Sequence, residues 1–261
     1  MKILALTSSY RRRGNTARVV EMVADHLEAT AERKQQPVDV EVLNLAYLDL
    51  AMCRGCRTCF DRGEEACPLK DDVPAIKAKL DEAEGLILAS PVYVNDVNGV
   101  AKNLIDRLAY VCHRPAFAGK CAYLVATVAD GPTGFALFTM NQALRSWGYH
   151  IVGQTGFKMG ALMDQEEMEE RYQAQAAEVA ADLYRAVSER AFLRPSFLSL
   201  MTFRIQQLSW REVSPDSLDY AYWEEKGWFD PDRTFYIDHR ANPLKVRLAR
   251  LVGRTMAGSV T

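Results

Sequence analysis

No stretch of this 261-residue chain approaches the roughly 20 apolar residues that a bilayer-crossing helix needs. Charge of one sign is also lacking: 32 Lys and Arg face 34 Asp and Glu, a formal net of −2 that argues against a nucleic-acid binder held by bulk electrostatics. No G-x-G-x-x-G fingerprint occurs, so any nicotinamide is expected to dock transiently rather than reside. Histidines number four. His26 and His150 fall in regular elements, His113 and His239 stand alone, and no side chain is assigned as a catalytic acid or base. At the N-terminus Arg11-Arg12-Arg13 follows the short apolar run Ile3 to Leu6, the reverse of a signal peptide's order. A cytoplasmic, reducing location without a membrane partner is therefore expected, and clustered cysteines there read as metal ligands or redox groups.

Cysteine is scarce but unevenly spread. Four of the six form a C-x2-C-x2-C-x7-C run at Cys53, Cys56, Cys59 and Cys67. Thiols two residues apart do not easily pair in a disulfide, but they can wrap around one inorganic centre. The spacing suits an iron–sulfur cluster first and zinc second, because structural zinc usually holds two separated pairs. A cysteine loop that binds nothing is the third option. Arg54, Arg57 and Arg62 interleave the thiols and are expected to face solvent, while Cys112 and Cys121 read as buried, inert thiols.

Strand and helix signals alternate through the first 160 residues. Strands are expected at Lys2 to Thr7, Val38 to Leu45, Gly85 to Ser90, Lys120 to Thr127 and Tyr149 to Gly156. Helices are expected from Asn15 or Thr16 as cap, from Asp71 or Asp72 as cap, at Val100 to Val111, at Phe135 to Trp147 and at Glu166 to Glu189. The run Gly85-Leu-Ile-Leu-Ala-Ser90 is continuously apolar, as in a strand covered on both faces. Five β-α units in series predict an α/β fold, a doubly wound parallel sheet with right-handed crossovers. Ligands of such sheets sit beyond the carboxyl ends of the strands.

Three loops at that edge have binding chemistry. Ser8-Ser9-Tyr10-Arg11-Arg12-Arg13-Gly14-Asn15-Thr16 runs from a buried strand into a helix start, where hydroxyls, an amide and free N–H groups favour a dianion. In Ser90-Pro91-Val92-Tyr93-Val94-Asn95-Asp96-Val97, Pro91 stiffens the strand exit, Tyr93 offers a flat face, and Asn95 and Asp96 offer polar contacts. In Thr127-Val128-Ala129-Asp130-Gly131-Pro132-Thr133-Gly134, small residues let backbone approach a ring edge.

Together these loops resemble the flavodoxin-like NAD(P)H-dependent FMN reductase family, and specifically its iron–sulfur flavoprotein branch. The family's first loop reads G-S-P-R-x-x-G-N-T; Ser8, Ser9, Tyr10, Arg11, Gly14, Asn15 and Thr16 take those places, with the Gly and Pro replaced. Ser90-Pro91-Val92-Tyr93, with Lys102, Asp106 and Arg107, is similar to S-P-V-Y…K…D-R, and Cys53 to Cys67 followed by Lys70-Asp71-Asp72 matches the cysteine loop with its trailing K-D-D. The resemblance covers roughly residues 1–190 and implies a five-stranded flavodoxin-like sheet of order 2-1-3-4-5. It also implies FMN held by Ser8, Ser9, Arg11, Asn15 and Thr16, by Pro91, Val92, Tyr93, Asn95 and Asp96, and by Thr127, Ala129, Asp130 and Gly131. A 4Fe–4S cluster on the four cysteines and a homodimer or homotetramer with flavins near subunit interfaces follow from the same likeness.

The expected activity is an FMN-dependent oxidoreductase moving electrons from NAD(P)H or a reduced carrier to a small-molecule or protein acceptor. A cluster-free quinone or FMN reductase and a flavodoxin-type carrier without a substrate are the alternatives. Residues 191–261 differ in character: aromatic, mainly helical, and closed by a basic amphipathic helix opened by Asn242-Pro243 with Leu244, Leu248, Leu251 and Val252 on one side. This extension is expected to lengthen a subunit interface.

Overall fold

The computed structural model describes residues 1–160, 165–189 and 193–257. In chain order the elements are β1 (Lys2–Thr7), α1 (Asn15–Lys34), β2 (Asp39–Asn44), α2 (Thr58–Asp61), α3 (Val73–Glu82), β3 (Gly85–Tyr93), β4 (Asp96–Val97), α4 (Gly99–Arg107), β5 (Cys121–Val128), α5 (Gly134–Ser146), β6 (His150–Lys158), α6 (Gln165–Ser188), α7 (Phe197–Ser209), α8 (Leu218–Glu225) and α9 (Pro243–Ala257). The main sheet runs β2-β1-β3-β5-β6, all parallel, with β4 paired antiparallel to β3. The expected order holds, with one added strand inside the segment read as a plain loop. There Val92 pairs with Val97 and Tyr93 with Asp96, leaving Val94 and Asn95 as a two-residue turn at φ 49° and 70°. Asn tolerates that left-handed geometry, whereas β-branched Val94 is strained in it.

The central strands β1, β3 and β5 are buried on both faces because they carry apolar side chains at successive positions. Leu4, Leu6, Leu86, Leu88 and Leu124 point to one side, against Ile76 and Leu80 of α3, Leu104 of α4 and Leu144 of α5. Ile3, Ala5, Ile87 and Val125 point to the other, against Val19, Val23 and Leu27 of α1 and Ala176, Val179 and Leu183 of α6. Each fully buried Leu or Ile contributes about 1.5–3 kcal/mol relative to exposure, so this two-sided core dominates the stability of the sheet unit.

Two expected helix starts differ in detail. Gly14, not Asn15 or Thr16, is the N-cap of α1, and no side chain caps it. Asp72 is the N-cap of α3, but the neighbouring Asp71 accepts the Val73 N–H. The helix expected to reach Val111 ends at Arg107 and tightens into a 3-10 turn over Ala109–Cys112.

After α6 the chain builds an aromatic cluster of its own, Phe203, Trp223, Trp228 and Tyr236. Gln207 of α7, fully buried, ties it together by donating to the carbonyls of Trp228 and Asp230. The expected boundary between residues 190 and 191 lies outside the described residues. α9 packs on α7 through Gly253, where a Cβ would come within 3.0 Å of the Met201 carbonyl. Leu244, Leu248 and Leu251 instead lie exposed on its outer face.

Candidate functional site

Because β1, β2, β3 and β5 are parallel, the loops after them open on one edge. The first loop is folded on itself, with the Arg11 N–H donating to Ser9 Oγ at 3.2 Å and Gly14 N–H to the Arg11 carbonyl at 3.0 Å. A side chain at Gly14 would meet Arg11 Cβ at 2.8 Å, so only glycine permits this close turn. Asn44 at the end of β2 donates to the Ser9 carbonyl at 2.9 Å, and Asn98 donates to the Ser8 carbonyl. The buried hydroxyls of Thr16 and Thr127 meet at 2.7 Å, joining the first loop to the loop after β5.

What this edge leaves unpaired defines its chemistry. The first intrahelical bond of α1 runs from the Arg18 N–H to Gly14, so the earlier N–H groups are the free donors of a helix start, with no side-chain cap and no acid in the first turn. Ser8 Oγ is fully buried and has no partner. A buried, orphaned hydroxyl beside an uncapped helix N-terminus fits a phosphate. Arg11, Arg12 and Arg13 are exposed around it.

The ring-side residues also converge. Pro91 and Val92 are half-buried at the end of β3, while Tyr93 and Asn95 are exposed at the hairpin. Asp96 accepts from Thr139 Oγ1 of α5 at 3.1 Å and from the Val97 N–H at 2.7 Å, which ties the hairpin to α5. After β5, Ala129 and Asp130 are exposed and Gly131 takes φ 102° with its N–H on Asp130 Oδ1.

The four cysteines line a separate cavity of about 1030 Å³, with Phe60, Asp71, Arg107 and Tyr110 among its walls. Cys53 and Cys56 are exposed, Cys59 and Cys67 half-buried. Hydrogen bonding from Thr58 lowers the Cys56 pKa, whereas burial raises that of Cys59, with the neighbouring Cys67 and Cys53 adding to it. Among the described residues no three or more His, Cys, Asp or Glu stand close enough to hold a single metal ion. Four thiols around one roomy cavity are of the donor type that iron–sulfur centres take.

Residues far along the chain hold this loop. Asn103 of α4 accepts the Cys53 N–H at 3.1 Å and donates to the carbonyls of Leu50 and Ala51. Arg107, one turn further, reaches the Ala51 carbonyl at 2.8 Å, forms a buried ion pair with Asp71, and points Nη2 at Cys67 Sγ from 3.9 Å. Burial by itself would raise the Asp71 pKa; Arg107 and the N–H groups of Val73 and Ala51 more than offset this and hold it low. Arg114 donates to the Cys59 carbonyl at 2.7 Å. Asn44, Asn98, Asn103 and Arg114 carried no sequence motif. Asn98 had a local signal only as a helix cap, a role it fills by accepting the Ala101 N–H.

This geometry defines a class: a doubly wound α/β protein with an anion cradle at the strand tips and a cysteine-lined cavity beside it. The chain belongs to the NADPH-dependent FMN reductase family, which matches residues 1–162, and to its iron–sulfur flavoprotein branch. It is 26% identical over 230 residues to an iron-sulfur flavoprotein of Archaeoglobus fulgidus, covering 87% of this chain and 100% of that one. An iron-sulfur flavoprotein of Methanocaldococcus jannaschii is 39% identical over 107 residues, 41% of this chain and 51% of that protein. In fold, the chain is similar to the crystal structure of RosB with bound 8-demethyl-8-formylriboflavin-5'-phosphate, at TM-score 0.57 and 15% identity, covering 93% of this chain and 92% of that one. The protein is a flavin oxidoreductase. That decides against a carrier with no substrate of its own.

Proposed function

We propose that the protein holds FMN at the strand tips and a 4Fe–4S cluster on Cys53, Cys56, Cys59 and Cys67, and relays electrons from NAD(P)H or a reduced carrier to an acceptor. One observation carries this reading. The cap of α4, Asn98, holds the Ser8 carbonyl of the anion cradle, and Asn103 of the same helix holds the Cys53 N–H. Five residues of helix span only about 7.5 Å, so one short rigid element sets the spacing between the two sites.

Bound FMN supplies two-electron exchange with single-electron release, and a cluster supplies one-electron steps. The chain's own part is to bind, orient and screen. Ser8, Ser9, Asn15 and Thr16 with the α1 N–H groups bind the phosphate, and Arg11 sits at its solvent side. Pro91, Val92, Tyr93, Asn95 and Asp96 flank the ring, and Thr127, Ala129, Asp130 and Gly131 bring backbone to its edge. Arg107 offsets thiolate charge at Cys67. A nicotinamide docks transiently, and no side chain acts as proton donor. The exposed Tyr93, Val94, Phe135 and Phe138 support a homodimer or homotetramer.

The test is anaerobic purification followed by a visible spectrum and by iron and acid-labile sulfide analysis. Bound FMN with iron and sulfide in equal amounts is expected. Iron-free flavoprotein would leave a cluster-free FMN or quinone reductase; colourless protein that takes up no FMN would remove the reading altogether.

A further inference from the structure

The carboxylate of Asp219 lies 152 residues beyond the last clustered cysteine in the chain, yet it is tied to the cysteine segment through Arg114. Asp219 sits in the first turn of α8. Its Oδ1 accepts from Arg114 Nη1 at 2.7 Å and its Oδ2 pairs with His113 Nδ1 at 2.8 Å. The other end of the Arg114 guanidinium donates to the Cys59 carbonyl at 2.7 Å and to Glu64 at 3.3 Å. With only 7% of its side chain exposed, Arg114 is a planar cation fixed between a carboxylate of the extension and the backbone of one cysteine.

The same seam is closed by neighbours of both partners. The ring of Phe60, next to Cys59, packs tilted against His113 at 4.6 Å, and His113 packs tilted against Trp210 at 4.5 Å. The indole N–H of Trp223 donates to the His113 carbonyl and Gln206 donates to the Cys112 carbonyl, each at 2.8 Å. The segment Cys112-His113-Arg114 is thus gripped from outside by α7 and α8 and grips the cysteine loop on its inner side.

We propose that Asp219 is a positioning residue for the thiolate centre, acting through Arg114 to hold the Cys59 segment against the cavity, and that anchoring this loop is a task of the C-terminal extension. The inference rests on the cluster reading above for the identity of the centre, but not for the clamp itself. Without the carboxylate, His113 loses its acceptor and Arg114 keeps only the longer carboxylate contact, to Glu64, so the buried guanidinium is poorly compensated. Arg114 then turns outward and releases the Cys59 carbonyl. Partners that orient ligands in this way are worth about 10–100-fold in metal affinity.

The test is Asp219→Asn, isosteric but unable to hold the two cations, with Trp223→Phe as a second variant that deletes one donor while keeping an aromatic ring. In metal-free protein, alkylation of each cysteine is timed by peptide mass spectrometry. Cys59 should react about tenfold faster in Asp219→Asn, measured against the already exposed Cys53 and Cys56 of the same molecule, with a smaller rise in Trp223→Phe. In anaerobically loaded protein, iron loss to a chelator should quicken by about the same factor while FMN content stays that of the parent. An unchanged Cys59 ratio in both variants overturns the proposal. So does a uniform rise at all cysteines accompanied by FMN loss, since general loosening is not a clamp. A parent protein that never holds iron defeats the cluster reading alone, and the Cys59 ratio still decides this inference.

Discussion

The two sites share one sheet edge and are built in opposite ways. The anion cradle is made almost entirely of consecutive residues. A strand ends, the chain turns at Gly14, a helix begins, and the binding groups are the backbone donors that any helix start exposes. The cysteine loop contains little regular structure, only the single turn of α2 and a 3-10 turn. Its shape is imposed by Asn103 and Arg107 of α4, Asp71 before α3, and Arg114 backed by Asp219 of α8. A cradle of backbone survives changes at distant positions; a loop held by long-range ties depends on each of them.

The sharpest way to break that contrast is Arg107→Gln. It leaves the Asp71 carboxylate, 1% exposed, without its cation, and should cost about 3–5 kcal/mol in a denaturant melt together with loss of iron-binding capacity. FMN binding should persist. Loss of both sites in parallel would show that they are one cooperative unit. The converse change is Gly14→Ala, where the added methyl 2.8 Å from Arg11 Cβ forces the first turn open. An overpacking cost of about 1–3 kcal/mol is expected, with FMN affinity falling about tenfold by fluorescence titration and cysteine reactivity unchanged.

Asn98→Ala removes a helix cap and the grip on Ser8 together. It should lower stability by about 1–2 kcal/mol and weaken FMN binding more than iron binding. A pH titration probes the other side. Burial by itself would lower the His113 pKa, but its bonds to Asp219 and Cys112 overcome this and raise it to about 9. A raised folded pKa means that the contribution is full below the unfolded value near 6.5 and is lost as pH climbs through about 9. For this part-exposed ring the loss should be on the order of 1 kcal/mol, visible as a falling melting temperature across that window and absent in Asp219→Asn. The smallest effect belongs to Lys102→Ala. Lys102 forms an exposed i,i+4 pair with Asp106, so stability should shift by less than about 0.5 kcal/mol with FMN and iron contents unchanged.

Much of this was legible in the residues because it depends on local pattern. The strands Ile3–Leu6 and Gly85–Ser90 announce themselves as unbroken apolar runs, α1 by apolar positions at helical spacing, and α6 by a run rich in Ala, Glu and Arg. The hairpin at Val94-Asn95 was not legible, since Val gives no signal for a left-handed turn. Nor was the cap of α1: Asn is a better capping residue than Gly and Thr about its equal, but here Thr16 turns inward to Thr127 and the close turn at Gly14 takes the cap position. Leu244, Leu248 and Leu251 show the limit of periodicity, which places them on one face of α9 without saying whether that face is covered.

The sequence by itself determined the parallel α/β order, the loops at its carboxyl edge and the thiolate set, because strand burial, helix period and cysteine spacing are properties of neighbours in the chain. Only the tertiary structure decided that Asn98 and Asn103 join two sites through one helix, and that Arg114, backed by Asp219 of α8, reaches the cysteine loop. The physical reason is that a hydrogen bond or ion pair is set by distance in space, and contacts across 50 to 105 residues leave no periodic trace in either partner's sequence.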